Sequence, residues 1–182
     1  MFPVRRVIVG ATGSPGSLRA LRFAKDLARH TADAVLIPVL AWTPPGGDQA
    51  ERRAPSSTLR RIWAEDASQR LRDALDAAWG GETAGLTVRS VVGRGEPGPV
   101  LVEAACSADD LLVVGAGRRG PLARIGRGRV SRYCLTHARC PVLAVPPPAI
   151  AQEAAHGLRA WAFRHRELTL DQAMRQWDNS AA

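Results

Sequence analysis

Two glycine-bearing turns and a run of arginines are the parts of this 182-residue chain best suited to chemistry. Gly10-Ala11-Thr12-Gly13-Ser14 follows the apolar run Val7-Ile8-Val9, and the stretch from Gly115 to Gly128 follows Leu111-Leu112-Val113-Val114. Glycine lets a backbone come close to a ligand. A helix starting after such a turn aims its unused N–H groups and its positive dipole end at whatever sits there. That combination suits an anion, above all a phosphate. The charge distribution agrees. The net charge is +8, and Arg118, Arg119, Arg124, Arg127, Arg129, Arg132 and Arg139 all lie between Gly115 and Arg139 with no acid among them. The rest of the chain carries only +1. Lys25 is the sole lysine, so the choice of arginine says little by itself. Its clustering says more: a local basic patch calls for an anionic partner, and guanidinium forks grip phosphate oxygens well. Glycine after a strand also makes plain tight turns. Two such turns facing one crevice, one of them carrying the charge excess, favour a ligand.

Other chemistry has less support. Cys106, Cys134 and Cys140 are odd in number and fit neither a disulfide framework nor a zinc pattern. Cys134 and Cys140 bracket His137, but the sequence offers no second ligand pair. Reduced, mostly buried thiols are expected. Ser131 and His137 stand six apart on one expected helix and so point to different faces. His30, His156 and His165 have no carboxylate partner in sequence and are expected at the surface, while Glu96 and Glu103 flank a turn where helix-start acids are common. There is no G-x-S-x-G elbow, no H-E-x-x-H and no Walker A lysine. No dedicated catalysis is expected, at most slow hydrolysis of a bound nucleotide. Stacking of single-stranded nucleic acid needs interleaved aromatics, and Tyr133 stands alone in the basic run, which argues against nucleic acid.

Hydrophobic periodicity names the elements that position the two turns. Val7-Ile8-Val9 reads as a buried strand, and Ser14-Pro15 as an N-cap and first helical residue. Leu18, Leu21, Ala24, Leu27 and Ala28 then recur at helical spacing, with Arg19, Arg22, Lys25, Asp26 and Arg29 on the outward faces. Ala34 to Ala41 reads as a second strand, Trp42 to Pro55 as a loop, and Ser57 to Trp79 as a helix stopped by Gly80-Gly81. Leu59, Ile62, Trp63, Ala67, Arg70, Leu71, Ala74, Leu75 and Ala78 mark the face of that helix. A third strand spans Leu86 to Val92, a Gly/Pro turn Gly93 to Pro99, and a short helix Val100 to Cys106. Leu111 to Gly115, Val130 to His137 and Pro141 to Val145 complete the order as strand, helix and strand. Such alternation implies an α/β fold, a doubly wound, five-stranded parallel sheet. Its ligand crevice lies at the carboxyl ends of the strands. This unit occupies residues 1–148. Residues 149–182 form an extension read as helical, in which Trp161, Phe163 and Trp177 need burial on this domain or a partner. No apolar run approaches the ~20 residues of a membrane span, and the N-terminal apolar stretch is too short for a signal peptide, so a cytoplasmic protein is expected.

Val7-Ile8-Val9-Gly10 with Gly13-Ser14-Pro15 resembles the opening of universal stress proteins, and Leu112-Val113-Val114-Gly115, Gly128 and Cys140-Pro141-Val142-Leu143 resemble their closing half. The similarity runs from about Val4 to Pro147. It implies the family's Rossmann-like fold with strand order 3-2-1-4-5 and a stress-response regulatory role. It further implies ATP or another adenine nucleotide in the crevice, any metal being magnesium carried by that nucleotide, and a homodimer paired through Pro141 to Val145. The binding positions it points to are Ala11, Thr12, Ser14, Val39, Gly115, Gly117, Arg118, Gly128, Arg129, Val130 and Ser131. ATP-binding members of the family carry G-x-x-G-x9-G-[ST] after the fourth strand and an aspartate in the first turn. This chain keeps the outer glycines, Gly115 and Gly128, but has Arg118, Arg129 and Thr12 at the other three positions. Two outcomes stay open: the arginines replace the lost donors with guanidinium forks, or Arg118 fills the phosphate space. The second outcome makes the protein a ligand-free dimeric interaction module with a decayed site.

Overall fold

The computed structural model describes residues 4–83, 85–116 and 129–146, without the side chains of Ala50 and Arg129. Eleven elements lie within them: β1 (Arg6–Gly10), α1 (Pro15–Arg29), β2 (Val35–Trp42), α2 (Gly47–Arg53), α3 (Ser57–Trp79), β3 (Thr87–Val88), β4 (Val91–Arg94), α4 (Pro97–Ala104), β5 (Asp110–Gly115), α5 (Arg129–His137) and β6 (Val142–Val145). Every strand pair is parallel, in the order β3-β2-β1-β5-β6, with β4 also paired to β2. The direction of winding reverses between β1 and β5. That is the switch point of a doubly wound sheet.

Strand alternation sends side chains into two separate cores. Val7, Val9, Leu36, Leu40 and Val113 meet Leu21, Ala24, Leu71 and Trp79 of α1 and α3 on one face. Ile8, Ile37, Val39, Leu112 and Val114 meet Leu101 of α4 and Cys134 of α5 on the other. Both faces are covered, which is why the strands read as continuous apolar runs.

The expected third strand is divided. Its two pieces keep one register against β2, Leu36 opposite Val88 and Val39 opposite Val91, so no residue has slipped. Leu36 O still accepts from Arg89 N at 2.9 Å, whereas Val39 O turns the other way and accepts from Ala11 N at 2.8 Å. The next backbone group of β2 that faces β4 belongs to Pro38, which has no N–H to donate. The ladder lapses beside it, at Arg89-Ser90. With the two pieces taken as one strand, the order is the expected 3-2-1-4-5.

Four other expectations need correction. The stretch from Trp42 to Pro55 is not all loop: Trp42 is buried and ends β2, and α2 forms within the rest. The helix after the Gly/Pro turn begins at Pro97 rather than Val100, with proline in its first turn. Lys25 does not face outward. Its stem is buried, and its ammonium reaches the exposed Glu82 carboxylate at 3.5 Å. In α3 the apolar face is fully buried only from Ala67 onward: Trp63 and Ala64 are half-buried against the core, and Leu59, Ile62 and Arg70 are exposed. The helix boundaries themselves match: Ser56 caps Leu59 N, and Gly80 ends α3 in the left-handed conformation (φ 61°).

Candidate functional site

The turn after β1 is tied together by hydroxyls. Ser14 caps α1 by accepting from Ser17 N at 3.3 Å, and Ser17 Oγ donates to Ser14 O at 3.0 Å. Thr12 N donates to Ser17 Oγ at 3.2 Å, and Thr12 Oγ1 donates to Ser14 Oγ at 3.1 Å. Gly13 takes a positive φ of 73° to make the bend. Pro15 has no N–H and the Ser17 N–H is capped, so Gly16 carries the helix-start donor that remains for a ligand.

This turn forms one wall of a cleft of about 140 Å³ at the carboxyl ends of β1, β2 and β5. Gly10, Ala11, Thr12, Ser14, Gly16 and Ser17 line that wall, Val39, Ala41, Leu101 and Val114 make an apolar floor, and Pro97, Gly115 and Val130 complete the rim. Gly16, Pro97 and Val130 each stand in the first turn of a helix, α1, α4 and α5. Three positive helix ends therefore converge on an apolar floor. In the first turn of α4, Pro97 and Pro99 have no N–H and Val100 N donates to Glu96 O at 3.2 Å, so the N–H of that turn left over is that of Gly98, which the Glu96 side chain does not cap. An anion bearing a flat apolar group fits such a surface.

Of the residues expected to bind, Ala11, Thr12, Ser14, Val39, Gly115 and Val130 meet in this cleft. Ser131 is buried on α5 and is not among the cleft-lining residues. Arg129 is the first residue of α5, and its side chain is not described. Gly117, Arg118 and Gly128 lie outside the described residues, as do His156 and His165. Gly115 holds its place for a reason the sequence did not offer. A Cβ there would stand 2.9 Å from the Gly16 carbonyl carbon and oxygen, so its smallness lets β5 approach α1. Gly16, by contrast, has nothing within 4 Å of where its Cβ would be.

Sequence reasoning missed Gly16, Ser17, Ala41, Pro97, Leu101 and Val114. Ala41 was within reach, since it lies two residues beyond Val39 and strand side chains alternate with period 2. Leu101 and Pro97 depend on how α4 packs, which no local pattern reveals.

The remaining candidates sit elsewhere. His137 is exposed, its ring stacked on Tyr133 with centroids 4.1 Å apart, and its Nδ1 lies 2.9 Å from Tyr133 O. The Tyr133 ring also packs where a Gly98 Cβ would be, at 2.7 Å, so it is engaged between α4 and α5. His30 is exposed, as expected. The three cysteines are free thiols, but Cys106 is exposed and Cys140 half-buried, so only Cys134 meets the expectation of burial. Burial pushes the Cys134 thiol up to about 11 and raises Cys140 as well. At the amino end of the sheet, Arg6 holds the buried Asp110 through two bonds of 2.7 and 2.6 Å, which pushes the guanidinium further up. No helix among the described residues is long and apolar enough to cross a membrane.

Comparison with known proteins agrees with this architecture. A universal stress protein of Mycobacterium tuberculosis is 30% identical over 154 residues, covering 80% of this chain and 45% of that protein. The chain spans about half the length of the curated relatives it matches. Among solved structures, the universal stress protein UspA of Lactobacillus plantarum superposes with a TM-score of 0.57 at 20% identity, over 78% of this chain and 97% of that one. A universal stress protein in complex with cAMP is 29% identical, with a TM-score of 0.49, over 78% of this chain and 95% of that one. The family model for universal stress proteins matches residues 3–146, from before β1 to just past β6, and the chain belongs to that family.

Proposed function

We propose that this protein is a regulatory member of its family that binds an adenine nucleotide, or another phosphate ligand, in the cleft after β1 and β5. The observation that carries this reading is the convergence of three helix N-termini on an apolar floor made by Val39, Ala41, Leu101 and Val114. The floor suits a base, and the helix ends suit phosphate. Ala11, Thr12, Ser14 and Val39 would hold the nucleoside end, and Gly16, Val130 and the arginine-rich loop the phosphates. Thr12 offers a hydroxyl to a ribose where relatives that bind ATP offer a carboxylate. Titrating nucleotide-stripped protein with ATP, ADP and AMP should give saturable binding. Arg118→Glu combined with Arg129→Glu should weaken it roughly 10-fold or more, because charge-assisted phosphate bonds are lost. No binding up to the millimolar range overturns the proposal.

One observation favours a second reading. The Thr12 hydroxyl already donates to Ser14, and the Thr12 N–H to Ser17, so both donors of Thr12 are engaged without a ligand. In that case the protein acts as a ligand-free interaction module. It would pair through β6, which ends the strand order among the described residues and could offer its outer backbone groups to a second copy. Mass spectrometry of small molecules released from denatured protein separates the two readings, since a co-purified nucleotide excludes the second. Sedimentation at several concentrations tests the pairing.

A further inference from the structure

The first turns of α3 are tied to the domain by Arg60, which reaches Glu51, and by the half-buried Trp63 and Ala64, yet they leave apolar side chains exposed. The helix runs 23 residues, but its buried positions, Ala67, Leu71, Ala74 and Trp79, start ten residues in. Before them Leu59 is 45% and Ile62 48% exposed. They stand three apart and share one helix face. Single exposed apolar residues are ordinary, but two on one face of a helix form a small docking surface. Two half-exposed side chains fall far short of the ~800 Å² per partner that a stable complex of separate molecules buries. A segment of the same chain needs much less, because its tether already supplies an effective concentration of about millimolar.

Such a segment is at hand. The matched family unit stops at residue 146, and 36 residues follow, from Pro147 to Ala182. They leave β6 at the carboxyl end of the sheet. Helix α3 comes after β2 and packs back along it, so its first turns stand at that same end. From β6 to β2 is three strand steps, about 15 Å at ~4.8 Å each. The 12 residues from Pro147 to Leu158 span about 40 Å when extended. The segment carries Leu158 and Trp161, also three apart, together with Phe163 and Trp177. These need apolar cover that the family unit does not itself explain.

We infer that the C-terminal segment 149–182 folds back on its own domain and packs Leu158 and Trp161 against the Leu59–Ile62 face of α3. The test uses the full chain in two double variants: Leu158→Ser with Trp161→Ser, and Leu59→Ser with Ile62→Ser. The first leaves the sequence of α3 intact, so a change in α3 reports lost contact. Hydrogen exchange of residues 60–66 should speed up about 10-fold in that variant, from loss of local protection. Tryptic cleavage after Arg159 and Arg164 should speed up similarly in the second variant, while the melting temperature of the domain is retained. Unchanged exchange in the first variant and unchanged cleavage in the second would overturn the inference. So would protection in the wild type that fades on dilution, which would assign the cover to a second copy.

Discussion

At Gly115 a methyl group has nowhere to go, and at Gly16, facing it, a methyl group meets only open cleft. The two glycines therefore serve different ends. Gly115→Ala pushes against helix backbone, which does not yield cheaply, and should destabilise the fold by about 1–3 kcal/mol in urea denaturation. Gly16→Ala adds helix propensity in the first turn of α1 and should leave stability unchanged or raise it by up to ~1 kcal/mol. The same methyl would stand where a phosphate reaches the backbone, so nucleotide affinity should fall. If Gly16→Ala left binding of ATP, ADP and AMP intact, the ligand would not back onto α1. Gly98 is a third case, small because the Tyr133 ring packs against it. Three glycines at the carboxyl end of the sheet thus have three physical explanations, and sequence reading had put the ligand first for Gly115.

At the scale of elements, α2 is the one the sequence did not announce. Seven residues do not make a stable helix alone, and Gly46 and Gly47, both at positive φ, read as turn. What holds α2 is Glu51. Its buried carboxylate accepts from Arg60 Nε of α3 at 2.6 Å and from Arg94 at the end of β4, and Arg94 also reaches Asp48 at 2.9 Å. Both arginines are partly exposed, so the cluster is open to screening by salt. Glu51→Ala should release α2 locally: hydrogen exchange across residues 47–53 should rise while the global melting temperature changes little. High salt should move the wild type in the same direction. Exchange in α2 that does not respond to the substitution would show that Gly47–Arg53 is held by something else. Element α3 lies at the other extreme. Its N-cap Ser56, its 23 residues and its Gly80 stop are all local signals, and its bounds were legible to the residue.

In the whole molecule the two ends of the sheet divide the labour. The carboxyl ends of β1, β2 and β5 form the cleft, and the amino ends of β1 and β5 are clamped by Arg6 and Asp110. Asp110 is 1% exposed and also accepts from Ser107 N at 2.8 Å. Asp110→Ala removes the partner of a guanidinium that is only partly exposed. It should cost about 2 kcal/mol, toward the low side for a buried pair because Arg6 can regain water. Denaturant titration should register that loss, and nucleotide affinity should stay unchanged because the clamp lies at the opposite end. A fall in affinity larger than the fall in stability would show that the two ends are coupled. By itself the sequence determined what depends on neighbours along the chain. Apolar runs and helical spacing specified the alternation of strands and helices, hence the parallel sheet and the end at which its cleft lies. Only the tertiary structure decided what depends on residues distant in sequence. It buried Lys25 with its ammonium reaching the exposed Glu82, buried Glu51 between two arginines, broke the third strand beside Pro38 and made Gly115 small for the sake of Gly16. Each of these is a contact across more of the chain than a periodicity spans, and a local pattern carries no record of what will be packed against it.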